Sequence, residues 1–151
     1  MKVVRSLTIC SLLAISGGAF GADKVCKVDI TGTDAMQYDK KELSIAADCT
    51  SVEVTLKHSG KLPAQAMGHN WVLSKTADMQ GVVNDGMGAS FAANHIKAGD
   101  TRVIAHTKIV GGGQSDTVTF ATSALKQGEA YSFFCTFPGH SALMKGTFKF
   151  G

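Results

Sequence analysis

The sequence lacks several features that would define other classes of protein. Only two of its 151 residues are proline, and no apolar run is long enough to hold the chain in a bilayer as a stable anchor. No low-complexity tract, internal repeat or linker divides the chain, so its length fits one domain. The five histidines include no His-x-His pair, which excludes the trinuclear copper cluster of a multicopper oxidase.

The N-terminus has the three-part layout of a secretory signal peptide. Positive charge at Lys2 and Arg5 precedes an almost wholly apolar stretch at residues 7–15, which small residues follow. Ala19 and Gly21 fit the two small positions that precede a cleavage site. The pattern therefore predicts export and cleavage after Gly21.

Cleavage there makes residues 1–21 the signal peptide and residues 22–151 the mature domain. Attachment of a lipid to Cys10 is disfavoured, because Ile9 is too large for the position that precedes a lipidated cysteine. Loss of the signal removes two basic residues and lowers the formal charge from +3 to +1. A nearly neutral domain gives no electrostatic case for binding nucleic acid or an anionic membrane.

The cysteine count is odd once the signal is removed. Cys26, Cys49 and Cys135 remain, and in an oxidising compartment two of them should form a disulfide. The third thiol then needs a function, and counting alone does not say which cysteine it is.

Short alternating runs and 17 glycines predict an all-β fold, a Greek-key sandwich of short strands. In residues 51–58 the alternation places Val52, Val54, Leu56 and His58 on one inward row. Similar rows are expected in the runs 24–30, 102–109, 116–120, 130–135 and 146–150.

One region departs from this alternation of apolar and polar residues. Between Thr76 and His95 the apolar residues recur at roughly helical spacing, although three glycines weaken a helix there. We expect a short helix on a flap between strands. His106 should point outward, and both it and His95 should be solvated.

A loop between the last two strands concentrates the metal-binding residues. Cys135, His140 and Met144 fall within it, and a thiolate, an imidazole and a thioether form a soft donor set that favours copper. His69 supplies the second imidazole that a trigonal two-His, one-Cys plane requires.

The segments Gly68-His69-Asn70-Trp71 and Cys135 to Met144 (CTFPGHSALM) resemble the azurins, the blue-copper branch of the cupredoxin family. The resemblance covers the whole mature chain. It implies a Greek-key sandwich of about eight strands, one type 1 copper ion, and one-electron transfer in the bacterial periplasm without enzymatic activity.

The same resemblance implies a role for each matching residue. His69, Cys135 and His140 would be the equatorial ligands, Met144 the weak axial ligand, and the Gly68 carbonyl a second axial donor. Cys26 and Cys49 would form the disulfide, which leaves Cys135 for the metal. The backbone N–H groups of Asn70 and Phe137 would donate to the Cys135 sulfur, and the Asn70 side chain would join the two ligand loops.

An apolar patch around His140 is the expected entry point for the electron. Its members are Met67, Met87, Pro138 and His140 itself. The resemblance implies a monomer that meets redox proteins such as c-type cytochromes or copper reductases in weak, transient contacts.

Other functions fit the sequence less well. A thiol enzyme would give Met144 no role and would need a third group that orients its base. Zinc disfavours methionine as a ligand. A periplasmic copper store or delivery protein could use the same ligands, although ligands held between strands suit exchange poorly. His58 is expected to be a buried structural histidine and Trp71 a core residue.

Overall fold

The computed structural model describes residues 23–151, and the predicted signal peptide lies outside them. The described part of the chain forms nine strands: β1 (Val25–Thr33), β2 (Gln37–Tyr38), β3 (Glu42–Ile45), β4 (Ser51–His58), β5 (Val72–Lys75), β6 (Ala105–His106), β7 (Ser115–Ala121), β8 (Tyr131–Phe134) and β9 (Lys145–Phe150). It also forms two α-helices, α1 (Ala64–Met67) and α2 (Met79–Gly86). Short 3-10 turns cover Thr76–Asp78, Phe91–Ala93, Thr122–Ala124 and His140–Ala142. None of the helices between residues 23 and 151 is both long and apolar enough to cross a membrane.

The strands form two mixed sheets. One has the order β2-β1-β4-β7 and the other the order β3-β9-β8-β5-β6. Two pairs are parallel, β1 with β4 and β3 with β9, and the remaining pairs are antiparallel. The predicted all-β sandwich is confirmed.

The core lies between the sheets and follows the predicted alternation. Every second residue of β4 is buried, from Val52 to His58. Trp71 is fully buried and packs near the rings of Phe120, Phe133 and Phe148. Burying a large apolar side chain stabilises the fold by about 1.5–3 kcal/mol, so these rows fix the inward face of each strand and hence the direction of the loops.

The flap predicted between Thr76 and His95 is present, with α2 at its centre. Val82 and Gly86 are the buried residues of this helix. Of the run 102–109, only β6 pairs regularly with β5. A turn closed by a hydrogen bond from the Val103 N–H to the Asp100 carbonyl precedes it, and there the Arg102 side chain binds Asp100. That run is therefore much shorter as a strand than the alternation predicts.

Candidate metal centre

His69 lies in the segment that joins α1 to β5. Its backbone N–H donates to the Val110 carbonyl at 3.0 Å and its carbonyl accepts from the Val110 N–H at 2.8 Å. The ring nitrogen Nε2 lies 2.9 Å from the Thr33 carbonyl oxygen. A carbonyl can only accept, so Nε2 carries the proton and Nδ1 has the free lone pair.

Cys135 and His140 lie in the loop between β8 and β9, which the backbone closes tightly. The Cys135 N–H donates to the Met144 carbonyl at 3.0 Å, and the Met144 N–H donates to the His140 carbonyl at 2.8 Å. Gly139 has φ = 81°, a left-handed conformation that glycine adopts without strain. The turn beginning at His140 follows directly and directs its ring toward Cys135.

The two loops bring three donors together. The Nδ1 atoms of His69 and His140 are 3.2 Å apart, and the Cys135 sulfur lies 3.8 Å from the Nδ1 atom of His140. The three donor atoms lie within 4.8 Å of one another, and all three side chains are buried. Two imidazoles and one thiolate at this spacing fit a copper ion, because these are the donors of trigonal blue-copper sites.

Burial sets the protonation of these groups in the metal-free protein. It raises the pKa of the Cys135 thiol to about 12, although the backbone N–H groups of Asn70 and Phe137 oppose the shift. It lowers the pKa of His140 to about 4, and charge on His69 and His58 adds to this effect. The pKa of His69 is also lowered, mainly by burial. At neutral pH both rings are therefore neutral and ready to bind, whereas the thiol must release a proton when metal enters.

Met144 and Gly68 are the candidate axial donors. Met144 is fully buried, and its terminal methyl group and the His69 ring both lie beside the Cα of Gly32. The Gly68 carbonyl favours the protonated form of the His69 ring and so partly opposes the lowering of its pKa by burial. Both groups thus lie near the His69 ring, and their weak axial roles remain predictions.

Asn70 joins the two ligand loops. Its Oδ1 atom accepts from the Thr136 N–H at 2.9 Å, and its Nδ2 atom donates to the Thr136 hydroxyl at 2.8 Å. The Tyr38 hydroxyl donates to the Asn70 carbonyl. Both Asn70 and Thr136 are buried, so loss of one partner would leave polar groups unsatisfied at about 1–3 kcal/mol each.

Other histidines lie around the site in different ways. His58 is buried and stacks on His69, with ring centroids 4.4 Å apart and an interplanar angle of 5°. It is a structural residue, as expected: its Nε2 donates to the Met67 carbonyl, and its Nδ1 accepts from the Gly60 N–H. His106 is exposed, as predicted.

The prediction for His95 is wrong. This residue is half-buried, its Nδ1 lies 3.0 Å from the Ala89 carbonyl oxygen, and its ring meets Phe137 edge-on at 5.5 Å. The flap folds back against the copper loop, and for this reason His95 is only partly exposed to solvent.

A surface groove lies between α2 and the copper loop. It has a volume of about 330 Å³, and Met87, Phe137, Pro138 and Ala142 are among its lining residues. Met87 is 62% exposed, whereas His140 is only 4% exposed and is not among the residues that line the groove. Met67 does not line this groove; it ends α1 and is half-buried.

Sequence reasoning missed the Thr33 carbonyl, the Tyr38 hydroxyl and Asn94 as contacts of the ligand loops. The first is a backbone group, and the other two come from distant segments. No local pattern marks any of them.

A buried His–Cys–His set between the loops of a two-sheet sandwich defines a cupredoxin-type copper protein. The family model described as copper binding proteins, plastocyanin/azurin family, matches residues 24–151. The chain therefore belongs to the plastocyanin/azurin family, as its motifs predicted.

Individual relatives agree with this assignment. The chain is 60% identical to azurin from Bordetella pertussis over 124 residues, which cover 82% of this chain and 83% of the relative. It is 52% identical to azurin from Pseudomonas aeruginosa over 145 residues, which cover 96% and 97% of the two chains. A solved structure of the azurin Az-iso2 from Methylomonas sp. strain J matches with a TM-score of 0.81 and 43% identity, covering 83% of this chain and 98% of that one.

These matches and the donor geometry confirm the predicted cofactor, a single copper ion. The protein is an electron carrier of the blue-copper type and not an enzyme. The predicted disulfide between Cys26 and Cys49 is also confirmed, with Cα atoms 5.8 Å apart. Cys135 is the free cysteine of the described residues.

Proposed function

We propose that residues 22–151 form a periplasmic domain that carries single electrons between redox proteins, with copper held by His69, Cys135 and His140. Met144 and the Gly68 carbonyl complete the site as weak axial donors. The bound metal supplies one-electron chemistry by alternating between Cu(I) and Cu(II).

The observation that carries this proposal is the rigid burial of the donors. His69 is held by the Thr33 carbonyl, by the His58 ring and by backbone pairing with Val110. Cys135 and His140 are held by backbone hydrogen bonds within their loop. Ligands fixed in this way change little between oxidation states, which keeps the reorganisation on electron transfer small.

The N–H groups of Asn70 and Phe137 that stabilise the Cys135 thiolate give the chain a means to tune the site. Withdrawing charge from the sulfur weakens its donation to the oxidised metal and raises the reduction potential. The strength of these N–H contacts with the Cys135 sulfur depends on how the two ligand loops are held together.

The groove beside the copper loop supports a route for the electron. Met87 and Pro138 line it and expose apolar surface. Phe137 also lines it, and its ring lies 4.5 Å from the His140 ring, centroid to centroid. A small apolar contact allows close approach and fast release. The partners would be redox proteins such as c-type cytochromes or copper reductases.

Burial of the ligands favours electron transfer over copper storage or delivery. His69, Cys135 and Met144 have no exposed surface. A delivery site must pass its ion to another protein, and this requires ligands that a competing donor can reach.

Reversible voltammetry of the copper-loaded protein tests the function. A carrier should give equal anodic and cathodic currents over many cycles, with its copper content unchanged. Copper lost on reduction would instead favour delivery and contradict the proposal.

Periplasmic location is supported by the leader-like residues 1–21 and by the Cys26–Cys49 disulfide, which an oxidising compartment maintains. Cell fractionation followed by mass spectrometry of the isolated protein tests it. We expect a periplasmic chain that begins at Ala22. A cytoplasmic chain that retains Met1–Gly21 would refute both the location and the cleavage.

A further inference from the structure

Asn94 adopts a backbone conformation that is uncommon for residues other than glycine. It ends the 3-10 turn Phe91–Ala93 with φ = 55° and ψ = 28°, in the left-handed region. Asparagine tolerates this region better than most residues do. The conformation directs its backbone carbonyl and its side chain toward different segments.

The Asn94 carbonyl contacts both ligand loops. It accepts a hydrogen bond from the Asn70 Nδ2 atom at 3.0 Å and another from the Thr136 hydroxyl at 3.0 Å. Asn70 directly follows ligand His69, and Thr136 directly follows ligand Cys135. Because Asn70 also binds Thr136, the three residues form a closed triangle of hydrogen bonds.

The Asn94 side chain fixes this carbonyl in place. The Asn94 Oδ1 atom accepts from the Ile109 N–H at 2.9 Å. The Asn94 backbone N–H also donates to the Phe91 carbonyl at 2.9 Å. The vertex of the triangle is thus anchored to a segment that carries no ligand.

The triangle uses the hydrogen-bonding capacity of its buried members almost fully. Both protons of the Asn70 amide are donated, one to Asn94 and one to Thr136, and its oxygen accepts from the Thr136 N–H. Movement of the Asn94 carbonyl would leave an Asn70 proton without its partner. Asn70 would then shift, and its backbone N–H would move relative to the Cys135 sulfur.

We propose that Asn94 is a positioning residue of the copper site, through which the flap sets the separation of the two ligand loops. It touches no ligand and acts through Asn70 and Thr136. This inference rests on the proposed copper ligands, and it adds that the strength of the N–H contact from Asn70 to the sulfur depends on the flap.

The test replaces Asn94→Gly, which retains the left-handed turn and removes the anchor to Ile109. In the metal-free protein we expect amide hydrogen exchange at Thr136 and Ile109 to increase about fivefold, the effect of one lost hydrogen bond. In the copper-loaded protein the reduction potential should fall, because a weaker N–H contact leaves more charge on the sulfur and favours Cu(II).

Two further variants separate positioning from general stability. Asn94→Asp retains an oxygen acceptor for the Ile109 N–H and should restore slow exchange at Thr136. Ser90→Ala removes the side-chain cap of the same 3-10 turn without touching the triangle. It should lower the melting temperature while the Thr136 exchange rate and the reduction potential stay at their wild-type values.

An unchanged reduction potential in Asn94→Gly would overturn the proposal, whatever the exchange rates. Equal effects of Asn94→Gly and Ser90→Ala on the potential would overturn it as well. A failure of the proposed electron-carrier function would appear in the voltammetry of the wild-type protein. Failure of this inference would appear only in the comparison of variants.

Discussion

Replacement of Gly32 by alanine should disturb the copper site through a single methyl group. Gly32 is buried in β1, and a Cβ atom there would lie 2.7 Å from the His69 Cδ2 atom and 3.4 Å from the Met144 terminal methyl carbon. Unbonded carbon atoms favour separations of about 3.5–4.0 Å, so the ring would have to move by roughly 1 Å. The methyl end of Met144 can rotate away, but the His69 ring is held by the Thr33 carbonyl and by the His58 stack.

Overpacking of this kind costs about 1–3 kcal/mol, and we expect Gly32→Ala to lower the unfolding free energy of the metal-free protein by that amount. Because His69 moves, copper affinity should fall by roughly tenfold or more and the charge-transfer spectrum should change. Urea denaturation and competition with a copper chelator measure the two effects.

Gly88→Ala is the matched control, because its Cβ would meet only the Asp85 carbonyl oxygen, at 3.9 Å. We expect its stability to stay within about 0.5 kcal/mol of wild type, with an unaltered spectrum. If Gly32→Ala behaves like Gly88→Ala, the packing around His69 is looser than the structure indicates.

Three further predictions concern stability and electron transfer. Replacing both Cys26 and Cys49 by serine should lower the unfolding free energy by about 3 kcal/mol in urea, because the disulfide closes a loop of sequence separation 23; an unchanged midpoint would contradict this. The metal-free protein should lose stability as the pH falls from 6.5 to about 4, because the pKa of His140 is lowered from 6.5 to about 4 in the folded chain. In that window the unfolded chain protonates His140 and the folded chain keeps it neutral. Calorimetry of His140→Gln should show a shallower loss of stability, and an equal loss would exclude His140 as its source. Met87→Lys should slow electron self-exchange about tenfold at low salt, because the added positive charges on two meeting molecules would repel each other. Val25→Lys, at an apolar and 48% exposed first residue of β1, should leave the rate unchanged. Equal rates in the two variants would exclude the groove from the encounter.

Local patterns predicted much of the site because its chemistry is concentrated in one loop. Cys135, His140 and Met144 lie between two strands, and the alternation of apolar residues indicates both strands. The buried row of β4 was predictable for the same reason, since a two-residue period reports directly on which face is buried.

Contacts between distant segments were not predictable in this way. The parallel pairings of β1 with β4 and of β3 with β9 join strands whose order no local pattern encodes. His58 was expected to be buried, but its stacking on His69 depends on how α1 returns the chain to the sheet. The error at His95 has the same origin, because only the folded flap places this ring against Phe137.

The remaining contacts that the sequence did not predict are made by backbone groups. The Thr33 and Asn94 carbonyls hold His69 and the two ligand loops, and a carbonyl is present at every residue. These two carbonyls matter because they point toward the ligand loops, and tertiary structure sets the direction in which they point.

The measurement that tests the central claim most directly is titration of the metal-free protein with Cu(II), followed by absorption and electron paramagnetic resonance. We expect an intense blue sulfur-to-copper band that saturates at one copper per chain, with a narrow copper hyperfine splitting. Cys135→Ser should abolish the band. A colourless protein after copper reconstitution, or a blue band that persists in Cys135→Ser, would contradict the assignment of Cys135 as the copper thiolate.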